Sequence, residues 1–220
     1  RDGTFAKETH THEISDQNGM GAAVADYDND GYLDWFVSSI WDPNGKPEGS
    51  WGVSGNRLYH NHQGRLEDAA TQAGVAEGLW AWGACFADFN NDGHMDLYIF
   101  DSKPTDPREA DKNHFMRLYL GNGKFGFTDV TEQADIAASK VKSGYSMVYL
   151  ADINNDTHLD IVNQGNYGCQ VWKNNGKASF SVVSRDEVPW AVGAHMRLDD
   201  YDMDGRLDVI TAAAGPGWKD

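Results

Sequence analysis

A nine-residue pattern with oxygen-bearing side chains at positions 1, 3, 5 and 9 occurs four times, each copy lying between two apolar segments. The copies are Asp26, Asp28, Asp30, Asp34; Asp88, Asn90, Asp92, Asp96; Asp152, Asn154, Asp156, Asp160; and Asp200, Asp202, Asp204, Asp208. Position 6, where the chain must turn sharply, is Gly31, Gly93, Thr157 or Gly205. Such a loop curls around one hard cation, with the backbone carbonyl of position 7 (Tyr32, His94, His158, Arg206) completing an oxygen shell that suits Ca²⁺. Four ions are therefore expected. An EF-hand would need a bidentate Glu at position 12, but Val37, Ile99, Asn163 and Thr211 stand there, so the loops do not join helices.

The flanks read as strands. Short lead-in runs such as 21–25, 83–87 and 147–151 are followed on exit by β-branched and aromatic residues at 35–37, 97–100, 161–162 and 209–210. After each of the first three loops comes a hairpin signature: 57–61 to 64–66, 117–120 to 123–125, and 170–174 to 176–180, joined by Gln-Gly or Asn-Gly turns. Each unit thus holds four antiparallel strands with the ion loop between strands 1 and 2. Units of this kind, repeating with loop starts at 26, 88, 152 and 200, predict an all-β propeller, and the Gly and Ala residues of each first strand suit the crowded central axis.

The strings Gly21-Ala-Ala-Val-Ala25 and Gly83-Ala-Cys-Phe-Ala87 before the loops, Asn56-Arg-Leu-Tyr59 after one, and Phe127-Thr-Asp-Val-Thr131 in an outer strand resemble the FG-GAP/VCBS repeat family. This family forms the calcium-loop propellers of integrin α-subunit heads and of many secreted bacterial proteins. The likeness extends over essentially the whole chain and is strongest to the cartilage acidic protein (ASPIC/UnbV-associated) branch. It implies fold and ion rather than activity, because the family hosts many activities.

One domain is expected over 1–220, with blades at about 20–72, 82–133 and 145–185, a partial blade at 190–220, and residues 1–9 as the outer strand of a preceding or closing blade. On this register the chain holds three whole blades plus pieces and reads as a segment of a larger ring, which the resemblance implies has seven blades, rather than as a small ring whose N-terminal strand completes the last blade. Net charge is −16, which disfavours nucleic acid and anionic membranes as partners. Fourteen of the 34 acidic residues sit in the four loops, so calcium is expected to act as a folding ligand. Two cysteines, Cys85 and Cys169, exclude a disulfide framework and read as buried free thiols, with a single bridge as the alternative. No apolar run spans a membrane and no leader is recognised, which points to a mature secreted protein, extracellular or periplasmic. Calcium affinities of such loops suit that setting. Thr157 should make the third loop the weakest, since a β-branched residue tolerates positive φ poorly. The sequon at Asn155 lies inside an ion loop, which argues against glycosylation. The imidazoles of His94 and His158 are expected to face solvent.

Ion loops mark one end of the blades. The opposite end receives the insertions 38–55 and 101–115 together with Trp41, Trp51, Trp80, Trp82, Tyr167 and Trp190, aromatic residues suited to a sugar ring or a protein partner unless they pack between blades. The pairs His10/His12 and His60/His62 place two imidazoles on one side of a strand, without an identifiable third metal ligand. The leading expectation is a calcium-stabilised extracellular binding or adhesion module for a glycan or protein. The alternatives are a propeller enzyme, such as a polysaccharide lyase or phospholipase with Arg57, Arg108, Arg117 and His114 as candidates, and a structural subunit whose open blade edges another chain completes. No nucleophilic triad, nucleotide loop or HExxH stretch is present.

Overall fold

A computed structural model describes residues 4, 14–16, 18–41, 54–78, 81–101, 116–136, 147–165, 168–183, 187 and 195–212. The first unit comprises β1 (Gly21–Ala25), β2 (Asp34–Ser38), β3 (Arg57–His62) and β4 (Arg65–Asp68), followed by a one-turn helix α1 (Ala70–Ala73). The second comprises β5 (Ala81–Ala87), β6 (Asp96–Asp101), β7 (Met116–Gly121) and β8 (Phe127–Asp129). The third comprises β9 (Met147–Ala151), β10 (Asp160–Gly165), β11 (Gly168–Asn174) and β12 (Phe180–Val182), and β13 (His195–Asp199) with β14 (Asp208–Ala212) forms a two-stranded sheet. Strands pair in chain order within each sheet, all antiparallel. The protein is an all-β propeller of four-stranded blades.

Two-sided burial holds the blades together. Along β6, Leu97 and Ile99 pack with Phe36, Leu58 and Ala23 of the first blade, while Tyr98 and Phe100 pack with Ile161, Trp172 and Phe180 of the third. The alternation is the period-two geometry of a strand whose successive side chains point to opposite faces. Val162, Val171 and Cys169 continue the series against Met196 of β13. Each fully buried Leu, Ile, Phe or Met contributes roughly 1.5–3 kcal/mol, so the blade interfaces are the core. Among the polar bonds across the second interface is one from the Asn163 amide to the Tyr98 hydroxyl, both buried.

Close packing near the axis explains the small residues there. A Cβ on Gly21 of β1 would lie 2.3 Å from the Trp82 carbonyl oxygen of β5. Helix α1 was not anticipated from the sequence. Its Ala70 and Ala73, with Val75, fill the gap between the first and second blades, and Gly74, at φ 79°, ends the turn in the left-handed region. Trp82 lies inside β5, beside a register shift between Ala81 and Gly83. The expected outer strand at 1–9 apart from Thr4, the pair His10/His12 and most of the insertions 38–55 and 101–115 lie outside the described residues.

Candidate metal centres

All four loops repeat one side-chain-to-backbone pattern. The position 1 carboxylate accepts the N–H groups of positions 5 and 6: Asp26 from Asp30 and Gly31 at 3.0 and 2.9 Å, with the same pair of bonds at Asp88, Asp152 and Asp200. Position 3 accepts from the N–H of position 5, and position 5 from that of position 7, in every copy. These short-range bonds fold each loop into the same tight turn. They also require left-handed backbone at position 6: Gly31 φ 90°, Gly93 84°, Thr157 73° and Gly205 85°. Position 4 is left-handed too, at Asn29, Asn91, Asn155 and Met203.

Position 9 anchors the loop to the blade. Asp34 accepts from the N–H of Tyr27 at 3.1 Å and of Asn61 in β3 at 2.8 Å. Asp96 does the same with Phe89 and Gly121, and Asp160 with Ile153 and Asn174. All three carboxylates are fully buried. Among the described residues Asp208 receives only the Tyr201 N–H and is partly exposed, no third strand being described beside it. Without an ion, burial is the main cause that raises these acids: Asp34 and Asp160 lie above the usual carboxylate range and Asp96 is pushed up to about 6, with neighbouring loop carboxylates adding to the effect.

The donor chemistry fits a cation. In the first loop the ligand oxygens of Asp26, Asp28 and Asp34 lie within 4.8 Å of one another, as do those of Asp200, Asp202 and Asp208 in the fourth. In the second and third loops Asn90 and Asn154 replace one carboxylate, and each donates its amide to position 5, Asp92 or Asp156, at 2.9 and 2.8 Å. A carboxylate oxygen has lone pairs for both an N–H group and a metal, so the hydrogen bonds described do not compete with an ion.

One expectation is corrected. His94 and His158 are half-buried rather than turned out to solvent: each ring lies over its own blade's outer turn, where a Cβ on Gly123 would be 2.3 Å from His94 Nδ1 and one on Gly176 would be 2.4 Å from His158 Cε1. The side chain of Asn91, in the second loop, lies 3.1 Å from His158 Nδ1 and donates to the Gly176 carbonyl, so neighbouring loops touch. The position 2 residues drew no notice in the sequence. Tyr27 is buried against Phe86, Phe125 and Phe127 of the second blade, and Phe89 against Phe180 of the third. Their recurring apolar character at a fixed place in the pattern was the available signal.

At the other end of the blades, Trp41 is half-buried and bridges Ser54, and Trp82 is half-buried in β5. Trp51, Trp80, Tyr167 and Trp190 lie outside the described residues, as do Arg108 and His114. Arg57 pairs with Asp68 at 2.8 Å and Arg117 with Asp129 at 3.8 Å, so both act within their own blades. Cys85 and Cys169 are free thiols, and burial pushes the Cys85 thiol up to about 12.

Blades of this build with a nine-residue acidic loop define an FG-GAP propeller. A sequence profile described as the FG-GAP-like repeat matches residues 42–99 and 152–211, more than half of the chain, and the chain belongs to that family. It is 29% identical over 175 residues to human cartilage acidic protein 1 and 28% identical to the mouse protein, each match taking in 70% of this chain. The chain spans only 24% of the length of those relatives. A solved structure of an Agrocybe aegerita lectin, described as recognising non-reducing terminal N-acetylglucosamine, superposes with a TM-score of 0.50 at 22% identity, covering 84% of this chain and 44% of the lectin. At that identity the likeness speaks to the fold. Among the described residues no helix is long and apolar enough to cross a membrane. Repeats of this family together with acidic clusters able to hold a metal fit a binding module.

Proposed function

We propose that the chain is a calcium-stabilised extracellular binding module that holds one Ca²⁺ in each of its four loops and recognises a partner at the opposite end of its blades. The observation that carries the metal reading is the fourfold recurrence of the same loop hydrogen bonding, with the position 9 aspartate tied to strand backbone in the three four-stranded blades. Calcium would bind through positions 1, 3, 5 and 9 and the position 7 carbonyl, neutralising the buried acids and fixing strand 1 to strand 2 of each blade. Blades at about 20–72, 82–133 and 145–185 and a partial blade at 190–220 are the units so stabilised.

Trp41 and Trp82 sit at the ends of β2 and β5 remote from the loops, where a half-buried aromatic ring offers a rigid apolar contact. With Trp51, Trp80, Tyr167 and Trp190 they form the proposed recognition surface. A glycan is the favoured partner class, the fold being shared with a lectin, and binding to immobilised glycans separates it from a protein partner.

The test of the metal role is thermal unfolding with and without a chelator. A ligand at a hundredfold excess over its Kd stabilises by about 2.7 kcal/mol per site, and each kcal/mol moves Tm by about 2–4 °C at this size. Chelation is therefore expected to lower Tm by on the order of 10 °C or more, and restored Ca²⁺ to reverse the fall. An unchanged midpoint would reject the structural role.

A further inference from the structure

The first loop differs from the others in having a nitrogen donor beside its oxygens. His60 lies in β3 immediately before Asn61, whose N–H is fixed to Asp34, and its ring is wedged against Phe125 of the second blade, 4.6 Å between centroids. The side chain is only 10% exposed. Its Nε2 is buried and makes no hydrogen bond, although it lies 3.0 Å from Asp28 Oδ2 and 3.8 Å from Asp30 Oδ2. A ring nitrogen so close to two carboxylates, yet not aligned on either, has the placement of a ligand sharing a third centre with them. The ligand atoms of Asp28, Asp30 and His60 all fall within 4.8 Å of one another.

The equivalent strand positions in the next two blades are Leu120 in β7 and Lys173 in β11, neither of which supplies a neutral nitrogen. Calcium takes oxygen ligands, whereas imidazole favours zinc and other first-row transition metals. Ligands about 2.1 Å from one ion stand roughly 3.0–3.4 Å apart, and the two His60 distances bracket that range.

We propose that the first loop is a mixed nitrogen–oxygen site in which His60, Asp28 and Asp30 hold a transition dication such as Zn²⁺, while the other three loops remain oxygen-only calcium sites. This rests on the reading that the loops bind cations and revises it for the first loop, where a transition dication takes the place of the Ca²⁺ assigned above.

Calorimetric titration of the intact chain with Zn²⁺, in millimolar Ca²⁺, tests it. One tight equivalent is expected in the wild type. Loss of a direct ligand should cost at least the roughly tenfold typical of losing an outer partner, so His60→Leu, which installs the β7 residue, should weaken that equivalent by about tenfold or more. His62→Ala and a His10→Ala/His12→Ala double variant should leave it unchanged. Co²⁺ loaded in place of Zn²⁺ should show visible absorption bands that change on His60 substitution. Should His60→Leu fail to fold, as judged by loss of the calcium-dependent Tm shift, His60→Gln serves instead. Equal zinc affinity in the His60 variants, or loss of binding only in the His10/His12 variant, would overturn the proposal. If zinc does not bind but Ca²⁺ still raises Tm, this inference fails and the calcium reading stands; if neither ion shifts Tm, both fail.

Discussion

Individual residues in the loops carry strain and charge that can be tested one at a time. Thr157 and Met203 occupy left-handed backbone, at φ 73° and 61°, where the sister loops place Gly and Asn. A β-branched or long side chain pays a steric cost there that Gly or Asn avoids. Thr157→Gly and Met203→Asn should each stabilise the chain by about 1 kcal/mol in urea unfolding, the glycine gain being partly offset by its greater freedom when unfolded. Thr157→Gly should also raise the calcium affinity of the third loop towards that of the second. The buried aspartates make a second prediction. Asp96 in the ion-free fold is raised to about 6 against a usual value near 4, and Asp34 and Asp160 are raised in the same sense. The folded chain thus binds more protons than the unfolded chain between those values. Their stabilising contribution is complete below the unfolded pKa and is lost as pH rises through the folded one. Asp156 is lowered, chiefly by the His158 N–H, and acts below that window. Chelated protein should therefore lose Tm between pH 4 and 6, and the gain from added Ca²⁺ should grow over the same interval. A calcium effect of constant size from pH 4 to 7 would contradict this.

At the scale of the element, the loop also serves as a clasp between blades. Its position 2 residue gives its N–H to the buried position 9 aspartate and its side chain to the next blade, as Tyr27 and Phe89 show. Tyr201 occupies the same place in the fourth loop but is 77% exposed, with no following blade among the described residues. Phe89→Ala should then cost about 3–5 kcal/mol, as for a large core truncation, whereas Tyr201→Ala should fall within about 0.5 kcal/mol of wild type. Similar losses at both positions would show that the clasp is not what stabilises the fold. Strands, loops and hairpins were legible in the sequence because period-two burial, Asn-Gly turns and acidic spacing are local signals. Helix α1 was not, since four residues of Ala-Thr-Gln-Ala carry no amphipathic period and fold only against the Val75 pocket between blades. His60 was read merely as half of a His-x-His pair. What brings it to Asp28 is the β2–β3 register, a contact between residues 32 apart in the chain, which no local pattern encodes.

Across the whole molecule, these clasps couple metal occupancy in one blade to backbone order in its neighbour. The Phe89 carbonyl, inside the second loop, accepts the N–H of Ala178 at 3.1 Å and the side-chain amide of Asn174 at 2.8 Å, both in the outer hairpin of the third blade. Asn91 of the same loop reaches the Gly176 carbonyl. Ordering the second loop therefore orders three groups in a blade that supplies none of its ligands. Local openings in a repeat array normally stay within a unit and its nearest neighbour, which sets the expected range of the effect. Asp92→Ala removes a proposed ligand of the second loop and the acceptor of the His94 N–H, leaving the third loop's own residues intact. In saturating Ca²⁺, hydrogen exchange of this variant should speed up in residues 88–96 and, beyond them, at Ala178 and Phe180 of the third blade. Exchange at β1 and at the fourth loop should stay at the wild-type rate. Faster exchange confined to the second blade would mean that each loop stabilises only its own sheet. Acceleration reaching the first and fourth sheets equally would instead mean that the propeller opens as one unit, with the ions acting on global stability alone.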